Sequence, residues 1–316
     1  MFSLLSYGEV LVDFLPNTNG VDSYIPLAGG APANVAVAFS KLGGASYFAG
    51  GISKDNFGAM LLQQLNTQNV NTAYVNIVEN ANTAIVLVSL DQTGERSFNF
   101  YRHDTADMQY DTTHINKIEW QGIDIFHYCS NTLTENNMYI NTLYAIKSAK
   151  ENNLLVSFDV NLRQQLWSDL HLLPTRVEAV LKESHIVKLS KDEALYLVDI
   201  QQCSLQEYTH YLLKLGVTLV IITDGFNEIQ VTSNTYATQH SVPEIKAIDT
   251  TAAGDSFIAS FLFNITKQAS ASHMNLFDAI KEEKLVSESV IFAAQCGALT
   301  CQKKGAFAAL PSIEEL

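Results

Sequence analysis

The chain is predicted to fold as an α/β protein around a mostly parallel sheet, on three observations. Short apolar runs alternate with helical patterns along most of its 316 residues, as expected of strands buried between helices. A hydrophobic fraction of 47%, with 16 Phe and 13 Tyr, can fill a large core, whereas a disordered chain would be poorer in aromatics and richer in charge. No internal repeat, low-complexity tract or Pro-, Gly- or Ser-rich linker interrupts the pattern. Although about 150 residues per domain would allow two units, this continuity favours one domain over residues 1–316.

The strand-like runs are Phe2 to Ser6, Tyr47 to Ile52, Ile123 to Cys129, Leu154 to Phe158, Ile186 to Leu189 and Val217 to Thr223. Between the first two, Val35, Ala38, Phe39 and Leu42 form an i, i+3, i+4, i+7 stripe, with Pro32 just inside its start and Gly43-Gly44 past its end. Phe257 to Thr266 and Ser287 to Thr300 read as further helices packed on the sheet. Two segments break the rhythm. Asn82 to Leu90 and Glu95 to Arg102 read as a hairpin turning at Asp91 to Gly94, and Phe14 to Ile25 is extended and helix-poor. Residues 14–25 and 82–103 are therefore expected to form a small β-sheet standing off the main body. It would serve as a lid over a cleft, with a homodimer contact through the same sheet as the second reading.

Charge and cysteine usage exclude several classes. A formal charge of −14 opposes non-specific attraction to nucleic acid or anionic lipid, so neither is expected as a partner. Cys129, Cys203, Cys296 and Cys301 lack CxxC spacing and read as buried reduced thiols. The eight histidines show no metal-ligand spacing and read mostly as surface residues. Without a basic leader or an apolar run near the ~18 residues needed to span a bilayer, the expectation is a cytoplasmic protein.

The strongest chemical signal is Asp249-Thr250-Thr251-Ala252-Ala253-Gly254-Asp255-Ser256-Phe257. Small residues at Ala252, Ala253 and Gly254 let backbone N–H groups approach an anion, and the following helix aims its positive end at the same point. Asp255 would stand beside that anion as a general base. This suits phosphoryl transfer, whose transition state needs positioning and charge stabilisation more than covalent help. A plain helix cap is the competing explanation.

Other candidates fall at the same rim. Gly29 and Gly30 admit a ligand near the backbone, and Asn34 can bond a sugar hydroxyl or simply cap its helix. The spacing there is not GxGxxG, which disfavours a dinucleotide fingerprint and hydride transfer. Asp13 is expected at the end of the first strand region, where ligands of parallel sheets gather, although taken alone it reads first as a solvated carboxylate at a strand end. Arg163 follows an apolar strand and could chelate phosphate or hydroxyl oxygens, with a surface salt bridge as the alternative. Ser190 and Glu193 fit a capping box, the alternative being Glu193 organising water around magnesium. Thr223, Asp224 and Gly225 close another strand, as a nucleotide-facing loop or an ordinary turn.

Taken together, these stretches resemble the PfkB or ribokinase-like carbohydrate kinases, whose two signatures match Gly29 to Gly44 and Asp249 to Phe257. The similarity runs in order over nearly the whole chain. It is greatest to the fructokinases, through Phe100-Tyr101-Arg102 with Ala106-Asp107-Met108, His127 to Ser130, Asp159 to Arg163 with Leu166-Trp167, and Lys188-Leu189-Ser190. The resemblance implies a three-layer α/β/α sandwich with a β lid, and ATP-dependent transfer to a primary hydroxyl of a ketohexose, fructose first. By that likeness Asp255 is the base, with Ala252, Ala253 and Gly254 as the anion hole. Asp13, Gly29, Gly30, Asn34, Tyr101 and Arg102 would hold the sugar, and Arg163 would lie between sugar and phosphate. Lys188, Ser190, Glu193, Thr223, Asp224 and Gly225 would face the nucleotide or its Mg2+. Asp249 and Thr251 match positions that bind an activating monovalent cation, usually K+.

The chain departs from the family pattern in three places. Ala252 stands where many relatives have Gly, Ser190 where ribokinases have Asn, and Glu228 where a second loop Gly is usual. Ribokinase, aminoimidazole riboside kinase and 2-keto-3-deoxygluconate kinase activities share the phosphate machinery and stay open. So does a catalytically silent sugar or nucleotide sensor.

Overall fold

A computed structural model describes residues 2–17, 23–90 and 96–316. Its thirteen strands are β1 (Ser3–Tyr7), β2 (Leu11–Pro16), β3 (Tyr24–Gly29), β4 (Ala45–Ser53), β5 (Asn71–Val78), β6 (Ile85–Leu90), β7 (Arg96–Tyr101), β8 (Ile125–Cys129), β9 (Leu155–Asp159), β10 (Ile186–Ser190), β11 (Leu219–Thr223), β12 (Ile229–Ser233) and β13 (Ala237–His240). The helices are α1 (Ala31–Lys41), α2 (Asn56–Thr67), α3 (Thr112–Ile115), α4 (Asn136–Glu151), α5 (Leu173–Leu181), α6 (Lys191–Gln201), α7 (Leu205–Leu215), α8 (Ala253–Ala271), α9 (Leu276–Ala279) and α10 (Glu283–Cys301).

Nine strands form the main sheet in the order β13-β12-β11-β10-β9-β8-β1-β4-β5. The run from β11 to β5 is parallel, and β12 and β13 add an antiparallel edge. All six strands expected from the apolar runs are present within two or three residues of their expected ends. The period-two alternation of side chains divides the core. Leu4, Ile125, Leu155, Ile186 and Leu219 pack with α1, α8 and α10, whereas the next residue of each strand, Leu5, Phe126, Val156, Val187 and Val220, packs with α4, α5, α6 and α7. Three layers result, helix on sheet on helix, because each strand is apolar on both faces.

The second sheet has four strands in the order β3-β2-β6-β7. The β6–β7 hairpin is antiparallel as expected, although its turn lies outside the described residues. The first component is wider than expected: β2 and β3 span Leu11 to Gly29 rather than 14–25, and β2 pairs with β6 in parallel. Asp13 consequently lies within β2 of this small sheet and not at the end of the first strand, since β1 stops at Tyr7.

Two of the four cysteines are buried, but Cys203 and Cys301 are only partly so, and all four are free. Of the histidines, His127 is buried against Ser157, and burial pulls its imidazole down to about 3, so it is neutral. Among the described residues no helix is long and apolar enough to cross a membrane.

Candidate active site

Asn34, Asp13, Lys188, Arg163 and Asp255 come together at the carboxyl ends of the parallel strands, where the start of α1, the start of α8 and the small sheet meet. Ala252 precedes α8 in the left-handed region, at φ 60 and ψ 9. That turn swings the chain into a nineteen-residue helix with Asp255 in its first turn. A Cβ in this conformation crowds the backbone, so a residue with only a methyl group tolerates what a larger one would not. The Ala253 N–H is used on the Thr250 carbonyl at 3.2 Å, so of the three expected anion-hole donors only the Ala252 and Gly254 N–H groups lack a partner among the described residues.

Asp255 stays half-buried at the base of this corner. Its Oδ2 accepts a 2.7 Å hydrogen bond from Nδ2 of Asn34, 221 residues away in sequence. Burial raises the Asp255 carboxyl above its usual range, opposed by Asn34, Lys188 and Arg163. Desolvation wins over these three at this site. Asp13 lies close enough that Asp255 and Asp249 add to the effect of burial, which together push it to about 7, while Arg163 opposes them. Its carboxylate spans Gly29, where an added Cβ would stand 2.2 Å from Asp13 Oδ2. A side chain there would have to push the Asp13 carboxylate aside, so glycine leaves that carboxylate in place.

Lys188, in the middle of β10, is 5% exposed and sends Nζ to both oxygens of Asp159 at 3.1 Å each. The same Nζ lies 3.0 Å from where a Cβ on Gly254 would project, so it reaches the start of α8 from beneath. Burial pulls the ammonium down, but the surrounding carboxylates Asp159, Glu193 and Asp255 outweigh it and hold its pKa above the usual lysine value.

On the neighbouring loop Ser190 caps α6, accepting from the Glu193 N–H while Glu193 accepts from the Ser190 N–H, so the capping box is real. Glu193 accepts a second backbone bond from Leu162 N–H at 2.9 Å and so couples α6 to the Arg163 loop. Asp224 pairs with Lys191 at 2.7 Å, and Gly225 takes a left-handed φ of 56 beside Phe226, which is 89% exposed. Thr223 ends β11 next to Ser190 in register.

Arg102 is more enclosed than a simple sugar ligand. Its Nε donates to Asp107 at 2.6 Å, and both terminal nitrogens donate to the Asn131 carbonyl at 3.2 Å. Asn131 in turn donates to Glu9, which also accepts from the Ala31 N–H. This buried network ties the end of β7 to the start of α1. Tyr101 is exposed at the β7 end. Asp249 accepts from Thr251 N–H at 2.8 Å and Gly305 N–H at 3.0 Å, which fixes its carboxylate in the turn before α8.

Sequence reasoning gave no role to Asp159, Glu9, Asn131 and Asp107, although Asp159 and Asp107 lie in stretches that carry the resemblance. Asp159 carried a usable signal, because it ends an apolar strand next in order to the one that holds Lys188. A hollow of about 500 Å3 lined by Tyr47, Tyr74, Glu119 and Trp120 lies at the opposite ends of the strands and takes no part in this rim.

Comparison with known proteins agrees with the geometry. The description pfkB family carbohydrate kinase matches residues 1–313. The chain is 35% identical to a probable fructokinase-5 of Arabidopsis thaliana over 98% of its own length and 94% of the relative's. Its fold superposes with a TM-score of 0.93 on a fructokinase of Xylella fastidiosa with bound ATP, at 32% identity over 99% of this chain and 96% of that one. A double mutant of the fructokinase of Vibrio cholerae O395, bound to fructose, ADP and potassium, superposes with a TM-score of 0.88 at 32% identity, covering 98% and 96%. On the match along its whole length, the chain belongs to the pfkB family of carbohydrate kinases.

Proposed function

We propose that this protein is a fructokinase, transferring the γ-phosphoryl group of ATP to a primary hydroxyl of fructose with Asp255 as the general base. The observation that carries the assignment is the junction itself: a carboxylate in the first turn of a long helix, beside a buried lysine and backbone N–H groups with no partner among the described residues. Asp13, with Gly29 and Gly30 beneath it, and Tyr101 would contact the sugar. Arg163, whose charge acts on both Asp13 and Asp255, would lie between the sugar and the transferring group. Proton removal by Asp255 frees the acceptor oxygen to attack phosphorus as the bridging P–O bond breaks and its electron pair leaves on ADP.

The nucleotide would lie along the Thr223 to Phe226 loop and the start of α8. Mg2+, which Glu193 would hold through water, would supply charge neutralisation at the phosphates. Both oxygens of Glu193 already accept backbone bonds, which fits a carboxylate acting through water rather than as a direct ligand. The Asp249 carboxylate, held in a tight turn by two backbone N–H groups with Thr251 beside it, would supply the oxygen donor for K+. The small sheet would close as a lid, and it leaves Tyr24, Ile25, Phe98 and Tyr101 exposed, which supports a homodimer formed through it. A cytoplasmic location accords with this soluble chemistry.

A panel of fructose, ribose, aminoimidazole riboside and 2-keto-3-deoxygluconate with ATP, read as ADP release, tests the substrate. Fructose should dominate, and turnover of a riboside alone would reverse the choice. Sugar binding without ADP release under any cation would favour the sensor. Asp255→Asn should lose about 100- to 10,000-fold in kcat with its fold intact, and a wild-type rate would refute the base.

A further inference from the structure

Asn34 is held from several sides. Its helix begins against β1, where Ser6 Oγ donates to the Pro32 carbonyl at 2.7 Å, and its own N–H closes the first helical bond on Gly30 at 2.8 Å. The side chain is 4% exposed, and Nδ2 points at Asp255 Oδ2. An ionised carboxylate only accepts, so nitrogen is the one amide atom that can face it. That choice fixes Oδ1 as well, and Asn34 Oδ1 is buried with no partner among the described residues. A rotated amide would exchange a charge-assisted bond for a repulsive oxygen pair, so the orphaned acceptor is the lesser cost.

Resting on Asp255 as base, we propose that Asn34 is its positioning residue, holding Oδ2 so that Oδ1 is the oxygen presented to the acceptor hydroxyl. A carboxylate on two rotatable bonds would otherwise turn toward Lys188 or Arg163, the cations that act on it. The proton then passes from the hydroxyl oxygen to Asp255 Oδ1, while the new O–P bond forms and the bond to ADP breaks. The charged and titratable groups around Asp255 are Lys188 on β10, Arg163 after β9, Glu193 on α6, Asp13 on β2, Asp159 on β9 and Cys129 on β8. None of them comes from α1, so Asn34 is the contribution of that helix. Its hydrogen bond favours the ionised base, against the burial that disfavours it.

The test measures kcat, sugar KM, the acid limb of kcat against pH, and melting temperature for Asn34→Ala, Asn34→Asp and Asp255→Asn in one assay. Asn34→Ala should lower kcat about 10- to 100-fold, the loss expected of one hydrogen bond to a charged group, with KM changed less than kcat and the acid limb moved to higher pH. Asn34→Asp preserves size and sets a second carboxylate against the base, so its acid limb should move further up. It decides the matter if the alanine variant does not fold. A tenfold or larger rise in KM with kcat and the pH profile unchanged would make Asn34 a sugar contact only and overturn the proposal, as would wild-type behaviour. An Asp255→Asn variant at full rate would instead overturn the base beneath it.

Discussion

Lys188 and Asp159 are register partners on adjacent parallel strands, and their side chains meet in a buried, two-oxygen ion pair under the first turn of α8. Neither residue is optional once the other is present. Removing one side of a buried pair leaves a charge without water or partner, which typically costs about 3–5 kcal/mol. Lys188→Met should therefore lose stability of that order in urea unfolding, and the double variant Lys188→Met with Asp159→Asn should recover a substantial part. Equal losses in the single and double variants would show that the two charges do not depend on each other.

The same lysine explains Gly254. A methyl group there would stand 3.0 Å from Lys188 Nζ, tighter than ordinary contact, and Asp159 prevents the ammonium from retreating. Gly254→Ala should keep its fold, because alanine favours helix, yet lose at least tenfold in kcat as the lysine is displaced from beneath the helix start. Steady-state kinetics beside a far-ultraviolet circular dichroism spectrum would separate the two effects.

How far the site could be read from the chain depended on distance along it. The parallel strands declared themselves because each is a short run apolar on both faces, and Ser190 with Glu193 was legible as a local capping box. The Lys188–Asp159 pair needs the register of two strands 29 residues apart, and Asn34 with Asp255 needs two helices to meet across 221 residues. Neither contact leaves a local trace. Asp13 reads as the end of the first strand region because Gly8 to Asp13 follows that strand directly, whereas the chain leaves β1 at Tyr7 and enters the other sheet at Leu11.

Ala252 offers a prediction of the opposite sign. It holds a left-handed φ of 60, where an L-residue with a Cβ costs roughly 1–2 kcal/mol relative to glycine. Glycine gives back part of that gain through its greater freedom in the unfolded chain. Ala252→Gly should thus raise stability by about 0.5–1 kcal/mol in chemical denaturation and leave kcat within twofold, since the backbone N–H stays where it is. A loss of stability would mean that the methyl group makes packing contacts that outweigh the strain.

Asp13 links the sugar pocket to stability through pH. Burial, followed by Asp255 and Asp249, raises its carboxyl from 3.8 to about 7 in the folded protein. Between those values the folded state holds the proton more tightly than the unfolded chain, so stability falls as pH rises through the window, and the full penalty applies above it. Because the group is only half-buried, solvent screening trims the penalty to on the order of 1–2 kcal/mol. Asp13→Asn carries no such charge. Its melting temperature should match that of the native protein near pH 4 and exceed it by a few degrees at pH 8, while sugar KM rises at least tenfold because a neutral amide is a weaker acceptor for hydroxyl groups. A melting-temperature difference that did not grow with pH would show that Asp13 is ionised at no cost in the fold.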